Sequence, residues 1–237
     1  MMDLFNTEEE LKKQEEKILE AEEEARKNKR KQILKDRVSK ENELKKELPL
    51  LPDKKYQLIL IDPPWRYEFS VSTTREIENQ YPTMDLEDIK KLPIGEMAAK
   101  DSVIFLWVTS PKLEEGLEVL KAYGFKYVTS AIWDKIKIGM GYYFRSRHEL
   151  LLIGKKGNLP VPDPKNRVAS VVQVRRGRHS AKPVEFYKII EDMYPDVDKI
   201  EIFSRTKRDG WDSWGYEEGK FPIPEYACKL VKEEWEE

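Results

Sequence analysis

From residue 56 onward, short apolar runs alternate with stretches whose apolar residues recur every third or fourth position. The runs read as strands: "YQLILI" (56–61), "SVIFLWVT" (102–109), "YVTSAIW" (127–133), "ELLLIG" (149–154), "VVQV" (171–174) and, last, "KIEIF" (199–203). The first two are apolar without a break, as in strands buried on both faces of a parallel sheet. Between the runs lie helices. Pro111 opens one with Leu113, Leu117 and Leu120 on a shared face, and Gly124 is placed to cap it. Pro183 opens another carrying Val184, Tyr187, Ile190 and Met193. Strands separated by helices predict an α/β fold with a mainly parallel sheet. The segment from Pro160 to Arg167 is a polar, proline-containing loop.

The first fifty residues follow another pattern. Glu8 to Glu47 is rich in Glu, Lys, Ala and Leu and has no Gly or Pro, which predicts one long helix. Leu4, Leu11, Ile18 and Ala25 recur every seventh position, but the companion apolar positions of a coiled coil are mostly missing. A solvated helix is therefore expected. Its charge is mainly acidic through Glu24 and basic from Arg26 to Lys31. Pro49 and Pro52 cannot continue it. The division that follows is a charged helical extension (1–48), a main α/β domain (49–221) and a proline-broken C-terminal tail (222–237).

Composition narrows the class. The chain has 237 residues, 37% of them charged, yet its formal net charge is only −2, so bulk charge predicts no polyanionic partner. One cysteine, Cys228, excludes an internal disulfide framework. His148 and His179 are the two histidines, and no metal-ligand cluster is visible. No apolar stretch is long enough to span a bilayer, and "MMDLFNTEEE" lacks a signal-peptide core. A cytoplasmic protein without a membrane anchor is expected.

The candidate chemistry lies in "LILIDPPWRY" (58–67), where the most apolar run ends on Asp62 and two prolines and a tryptophan follow. In open α/β sheets ligands bind beyond the carboxyl ends of strands, where Asp62 falls. Pro63 and Pro64 stiffen the loop and keep their carbonyls as acceptors. Trp65 supplies a broad apolar face. Together they suit a planar ligand with an exocyclic amine: Asp62 and the Pro63 carbonyl each accept one amine hydrogen, while Pro64 and Trp65 pack on the ring. Holding both hydrogens favours a pyramidal nitrogen whose lone pair can attack a sulfonium methyl, a step that needs positioning more than a strong base.

Two basic runs change the partner expected. "YYFRSRHE" (142–149) mixes aromatics with Arg145 and Arg147, and "VRRGRH" (174–179) carries Arg175, Arg176 and Arg178. Flanking one pocket, they suit a nucleic-acid backbone and an unstacked base. Arg145, Arg175 and Arg176 are the candidate substrate contacts. His148 and Glu149 are candidates to shape the acceptor pocket; a satisfied structural histidine is the other reading of His148. "GMGYYF" follows no phosphate-binding turn and is given no cofactor role.

Several ordered blocks resemble the MT-A70 family of adenine methyltransferases: "DPPW" at 62–65, "YPTM" at 81–84, "FLWVT" at 105–109, "HELLLIGKKGN" at 148–158, "HSAKP" at 179–183, "IEIFSR" at 200–205 and "GWDSWG" at 210–215. The resemblance implies a Rossmann-like methyltransferase fold and S-adenosylmethionine as donor. It makes Asp62, Pro63, Pro64 and Trp65 the catalytic loop, with Asp62 also beside the donor. It places Tyr81 in the acceptor pocket, Lys182 near the donor, and Glu201, Phe203 and Arg205 around the donor's adenosine. A lysine just before a helix start suits a carboxylate such as the donor's methionine end. Glu201 and Phe203 share a strand face, and a carboxylate there can accept from ribose hydroxyls. Where the family usually has Asn after the closing glycine, this chain has Tyr216, then Glu217; both are carried as donor contacts. The expected activity is methylation of the adenine amine in DNA. RNA as substrate, or a silent nucleic-acid-binding subunit, are the alternatives. Homo- or hetero-oligomers are compatible with everything above.

Overall fold

The computed structural model describes residues 3–47, 52–67, 83–139, 141, 143–177, 181–204 and 206–215; in the N-terminal helix, side chains are described only at 13, 14, 16–33, 35, 36 and 39. Tyr81, Arg178, His179, Arg205, Tyr216, Glu217 and the tail 222–237 lie outside the described residues. The chain divides into two compact units, one of Met1–Glu47 with Tyr67–Thr83, the other of Leu48–Arg66 with Met84–Glu237. The first contains one 45-residue helix, α1 (Asp3–Glu47), five residues longer at its start than the sequence pattern indicates. Its central side chains are exposed, Ile18 and Leu19 included. No helix among the described residues is long and apolar enough to cross a membrane.

The second unit is a seven-stranded sheet with helices. Its strands are β1 (Tyr56–Ile61), β2 (Ala98–Val108), β3 (Lys126–Asp134), β4 (His148–Lys156), β5 (Val171–Gln173), β6 (Lys199–Ile202) and β7 (Asp212–Trp214). They lie in the order β5-β3-β4-β2-β1-β6-β7. The pairs β1–β2, β1–β6, β3–β5 and β6–β7 are parallel, whereas β4 runs antiparallel to both β2 and β3. The fold is thus an α/β, Rossmann-like methyltransferase fold with a mainly parallel sheet. β1 lies inside the sheet, between β2 and β6, and is buried at five of its six positions, which is why its sequence is apolar without alternation.

Two elements differ from expectation. β6 ends at Ile202, because Phe203 takes a positive φ of 64° and turns the chain out of the strand. The alternation that would have put Glu201 and Phe203 on one face is therefore broken. Nor is β6 the last strand, since the aromatic–polar stretch Asp212–Trp214 pairs with it. It is only three residues long, so its alternation is too short to read.

The helices of this unit are α2 (Leu86–Lys90), α3 (Ile94–Met97), α4 (Leu113–Ala122) and α5 (Val184–Met193). Pro111 lies in a 3-10 turn (Ser110–Lys112) that leads into α4, and Gly124 (φ 78°) closes it, with Phe125 N–H donating to Leu120 O at 2.9 Å. The buried face of α4 is Gly116, Val119 and Leu120, while Leu113 and Leu117 are more than one-third exposed. Its phase is set by Gly116, which lets the helix approach β2 and β4: an added Cβ would lie 2.5 Å from Val108 Cγ1 and 3.2 Å from Leu152 Cδ1. Gly116→Ala gains about 1 kcal/mol of helix propensity but overpacks this contact at a cost of about 1–3 kcal/mol. The clash outweighs the gain over most of that range, and chemical denaturation is expected to show a net loss of up to about 2 kcal/mol.

On the other face, α5 buries Phe186, Tyr187 and Ile190 against a cluster that includes Leu60, Phe105, Trp107, Trp133 and Leu151. Trp107 is its centre, meeting Phe186 edge-on at 4.9 Å and Trp133 at 6.1 Å.

Candidate active site

Strand register brings the polar ends together. Ile61 pairs with Leu106 of β2 and Ile202 of β6, Val108 with Leu150 of β4, His148 with Asp134 of β3, and Asp134 with Gln173 of β5. Residues Asp62, Lys135, His148, Glu149, Val174 and Phe203 therefore emerge along one edge of the sheet. Asp62 has its side chain 30% exposed there, outside the packed interior.

The loop after β1 is held by its own backbone. Trp65 N–H donates to Pro63 O at 2.8 Å, a three-residue turn centred on Pro64, whose fixed φ suits it. Met84 N–H donates to Pro64 O at 2.8 Å. Trp65 is 5% exposed, and its indole N–H donates to Trp107 O at 3.1 Å. Its ring is thus an internal anchor and not the open stacking face the sequence suggests. The Pro63 carbonyl already accepts one hydrogen bond; a second lone pair remains for another donor.

Charge is arranged in an alternating chain. Lys182, 10% exposed and two residues before α5, donates to Asp62 Oδ2 at 2.6 Å and lies 3.4 Å from Glu149 Oε2. Its ammonium also sits 5.4 Å from the centre of the Trp107 ring. Glu149 Oε1 pairs in turn with Lys135 at 2.5 Å, and Lys135 sits 5.0 Å over Trp133. Burial pushes the Glu149 carboxyl up, but Lys182 and Lys135 outweigh it and hold the group below its ordinary value. Lys182 is therefore in contact with both candidate carboxylates, Asp62 and Glu149.

Glu201 is 8% exposed, one oxygen taking the Tyr187 hydroxyl at 2.6 Å and the other lying 3.1 Å from Ser204 Oγ. Burial pushes its carboxyl up and those hydrogen bonds pull it part of the way back. It is an internal group and not a surface ion pair. Arg208 stacks 4.0 Å over the Tyr187 ring, and its buried Nε–H has no hydrogen-bond partner among the described residues. The buried indole N–H of Trp107 also has none there.

The basic runs part company. Arg175 and Arg176 are exposed beyond β5. Arg145 is exposed and donates to Gly139 O at 3.0 Å. Arg147 instead forms two bonds of 2.6 Å to Asp134, which also accepts from Gln173 at 2.9 Å and Ile136 N–H at 2.8 Å. His148 is half-buried, with Nε2 3.0 Å from Ser110 Oγ. Asp134, Lys135 and Arg208 were not among the candidates read from the sequence. An antiparallel β3–β4 hairpin of matched arms is the one signal that places residues 134 and 135 opposite the 147–149 segment.

A sequence model of the MT-A70 family matches residues 56–217, more than half of the chain. The chain is 36% identical over 207 residues to the type II methyltransferase M.MunI from Mycoplasma sp, covering 78% of this chain and 88% of that one. It is 34% identical to the N(6)-adenosine-methyltransferase MT-A70-like protein of Drosophila melanogaster over 163 residues, 64% of this chain and 24% of the fly protein. To the N(6)-adenine-specific methyltransferase METTL4 of Mus musculus it is 29% identical over 197 residues, 75% of this chain and 40% of that one. The chain thus spans most of the Mycoplasma relative and less than half of the two animal ones.

Proposed function

This chain belongs to the MT-A70 family, and on that premise we propose that it methylates the exocyclic amine of adenine in DNA, with S-adenosylmethionine as donor. The observation that carries the reading is the part-exposed Asp62 carboxylate, fixed by Lys182 at the carboxyl edge of β1 on a loop locked by Pro64 and Trp65. DNA is favoured over RNA because M.MunI, a type II methyltransferase, is matched along most of both chains. The adenosine-named fly relative is matched over a quarter of its length.

A sulfonium donor with an adenosine moiety fits this edge. A carboxylate at the strand end suits a cation, and two buried N–H groups nearby, Arg208 Nε and Trp107 Nε1, have no hydrogen-bond partner among the described residues. The donor, when bound, supplies an electrophilic methyl group. Lys182, Arg208 and Glu201 are the described residues proposed to hold it. Phe203 is proposed to pack against it, with Arg205, Tyr216 and Glu217 completing the contacts.

Asp62 accepts one amine hydrogen, and the second lone pair of the Pro63 carbonyl accepts the other. The nitrogen's electrons then leave the ring and point away from both acceptors. Transfer of the donor's methyl would break its C–S bond as the C–N bond forms, and the positive charge gained by the nitrogen, relieved when one amine proton is lost to solvent, would be stabilised by Asp62 at hydrogen-bond range. Lys182 and Glu149 keep that carboxylate in place. Because every group is positioned before reaction, little reorganisation is needed.

The deciding experiment is transfer of labelled methyl from donor to adenine in DNA and in RNA oligonucleotides, with N6-methyladenine identified in digests. Label in DNA is expected. Label in RNA alone would reject the DNA assignment, and donor binding with label in neither would leave a silent subunit. Arg175 and Arg176 are proposed to contact phosphates. Replacing both with alanine is expected to weaken binding across sequences and reduce the slope of log K against log salt by roughly 1.8, about 0.9 for each phosphate no longer neutralised. An unchanged slope would remove both residues from the interface.

A further inference from the structure

The loop between β3 and β4 ends in two aromatic side chains with almost no protein around them: Tyr143 is 98% exposed and Phe144 90%. Apolar rings left in water forgo burial that folding normally secures. Yet the loop that carries them is tightly built. Asp134 grips Arg147 through two bonds and takes the Ile136 N–H, while Lys135 N–H donates to Arg147 O at 2.9 Å and Gly139 N–H to Ser146 O at 2.6 Å. Ile136 is held at a positive φ of 65°, a strain that a β-branched residue keeps only when its surroundings enforce it. The two arms press together so closely that glycine is required. A Cβ on Gly139 would lie 2.8 Å from Ser146 O, and one on Gly141 would collide with Phe144 O. Among the described residues the arms are closely braced, and they carry the rings of Tyr143 and Phe144 out into solvent. Gly139 and Gly141 serve this close approach and not a phosphate.

Its place is as informative as its shape. Because β3 ends and β4 begins at the edge carrying Asp62, the loop rises beside the catalytic carboxylate. Exposed Arg145 adjoins the tip, and Arg175 and Arg176 leave the same edge one strand away. Cations around an aromatic point are complementary to a phosphate backbone around a base stack. An adenine amine cannot reach Asp62 while paired in a duplex; the base must first swing out, which leaves a gap in the stack.

We infer that Tyr143 and Phe144 form a wedge that enters the base stack of duplex DNA at the target site and fills the place of the extruded adenine. This rests on the proposed methylation of DNA and deepens it: the substrate is paired DNA, opened by the protein itself. Stacking on an aromatic ring is worth roughly tenfold to a hundredfold in an equilibrium, enough to offset much of the penalty of unstacking one base.

The test compares the wild type with Tyr143→Ala/Phe144→Ala in single-turnover methyl transfer. The substrates are a fully paired duplex, the same duplex with an abasic site opposite the target adenine, and the single strand. The double variant is expected to lose roughly 10- to 100-fold on the paired duplex, at least tenfold more than on the other two. In parallel, 2-aminopurine at the target position of the paired duplex is expected to brighten with wild-type protein and much less with the variant. Equal losses on all three substrates, no loss on any, or equal brightening would overturn the wedge. So would a variant that changes only the oligomeric state, which would make the tip a subunit contact. A wild type that labels no form of DNA would instead reject the underlying activity, and the wedge with it.

Discussion

Asp62→Ala is expected to reduce methyl transfer by at least about 10³-fold while the protein stays folded. Losing one preorganised partner of a developing charge costs about 10²–10³ in rate. Here the same change would release the amine from the proposed two-point grip, and misorientation of a reacting atom can add about 10². The fold should tolerate the change because the Asp62 side chain is 30% exposed and leaves little void. Lys182 retains Glu149 at 3.4 Å and the face of Trp107. The stability cost is about 2 kcal/mol, that of a hydrogen bond to a charged group. Asp62→Asn should recover part of the rate, since its carbonyl oxygen can still accept one hydrogen, but its NH₂ competes with the Lys182 ammonium for the same space. Labelled methyl transfer alongside thermal unfolding separates the two effects. An alanine variant as fast as wild type would take Asp62 out of the reaction.

The sheet and its carboxyl edge were legible because strands buried on both faces write themselves as unbroken apolar runs, and Asp62 stands out against one. What was not legible depended on contacts distant in sequence. Trp65 after two prolines reads as an open platform, but its indole N–H is satisfied by Trp107 O, on a strand that the apolar run locates and whose lateral fit it does not. The helical period of α4 was right and its phase was not, because leucine hydrophobicity outweighs a glycine in any pattern, whereas close packing values the glycine. Phe203 looked like one more strand position because nothing local announces a left-handed backbone at a phenylalanine. The pairs Asp134–Arg147 and Lys135–Glu149 were hidden because a sheet expected to be mainly parallel does not suggest a hairpin between β3 and β4.

Lys182→Met should be the second most damaging change, and it separates the charge of this residue from its bulk. Methionine can follow the lysine stem past Trp107 but pairs with neither carboxylate. Breaking a buried ion pair by removing one member costs about 3–5 kcal/mol, because the remaining charge is left in low dielectric. The lower end applies, since Glu149 keeps Lys135 and Asp62 is partly solvated. The loss should depend on pH. In the wild type the Glu149 carboxyl is held below its ordinary 4.5, which contributes stability above that value and surrenders it as pH falls through the folded value. Removing Lys182 removes the leading favourable charge on Glu149 and raises its carboxyl pKa. The stability gap between wild type and variant should therefore be widest near neutral pH and narrow on acidification through the carboxylate range. Methyl transfer should fall about 10²-fold at neutral pH from lost positioning of Asp62, and the acid limb of its pH profile should move upward as Glu149 protonates earlier. Urea unfolding at several pH values and a pH–rate profile check both. A gap that stayed constant from neutral to acid would mean that Lys182 acts by packing alone, and a wild-type rate would free Asp62 from any dependence on it.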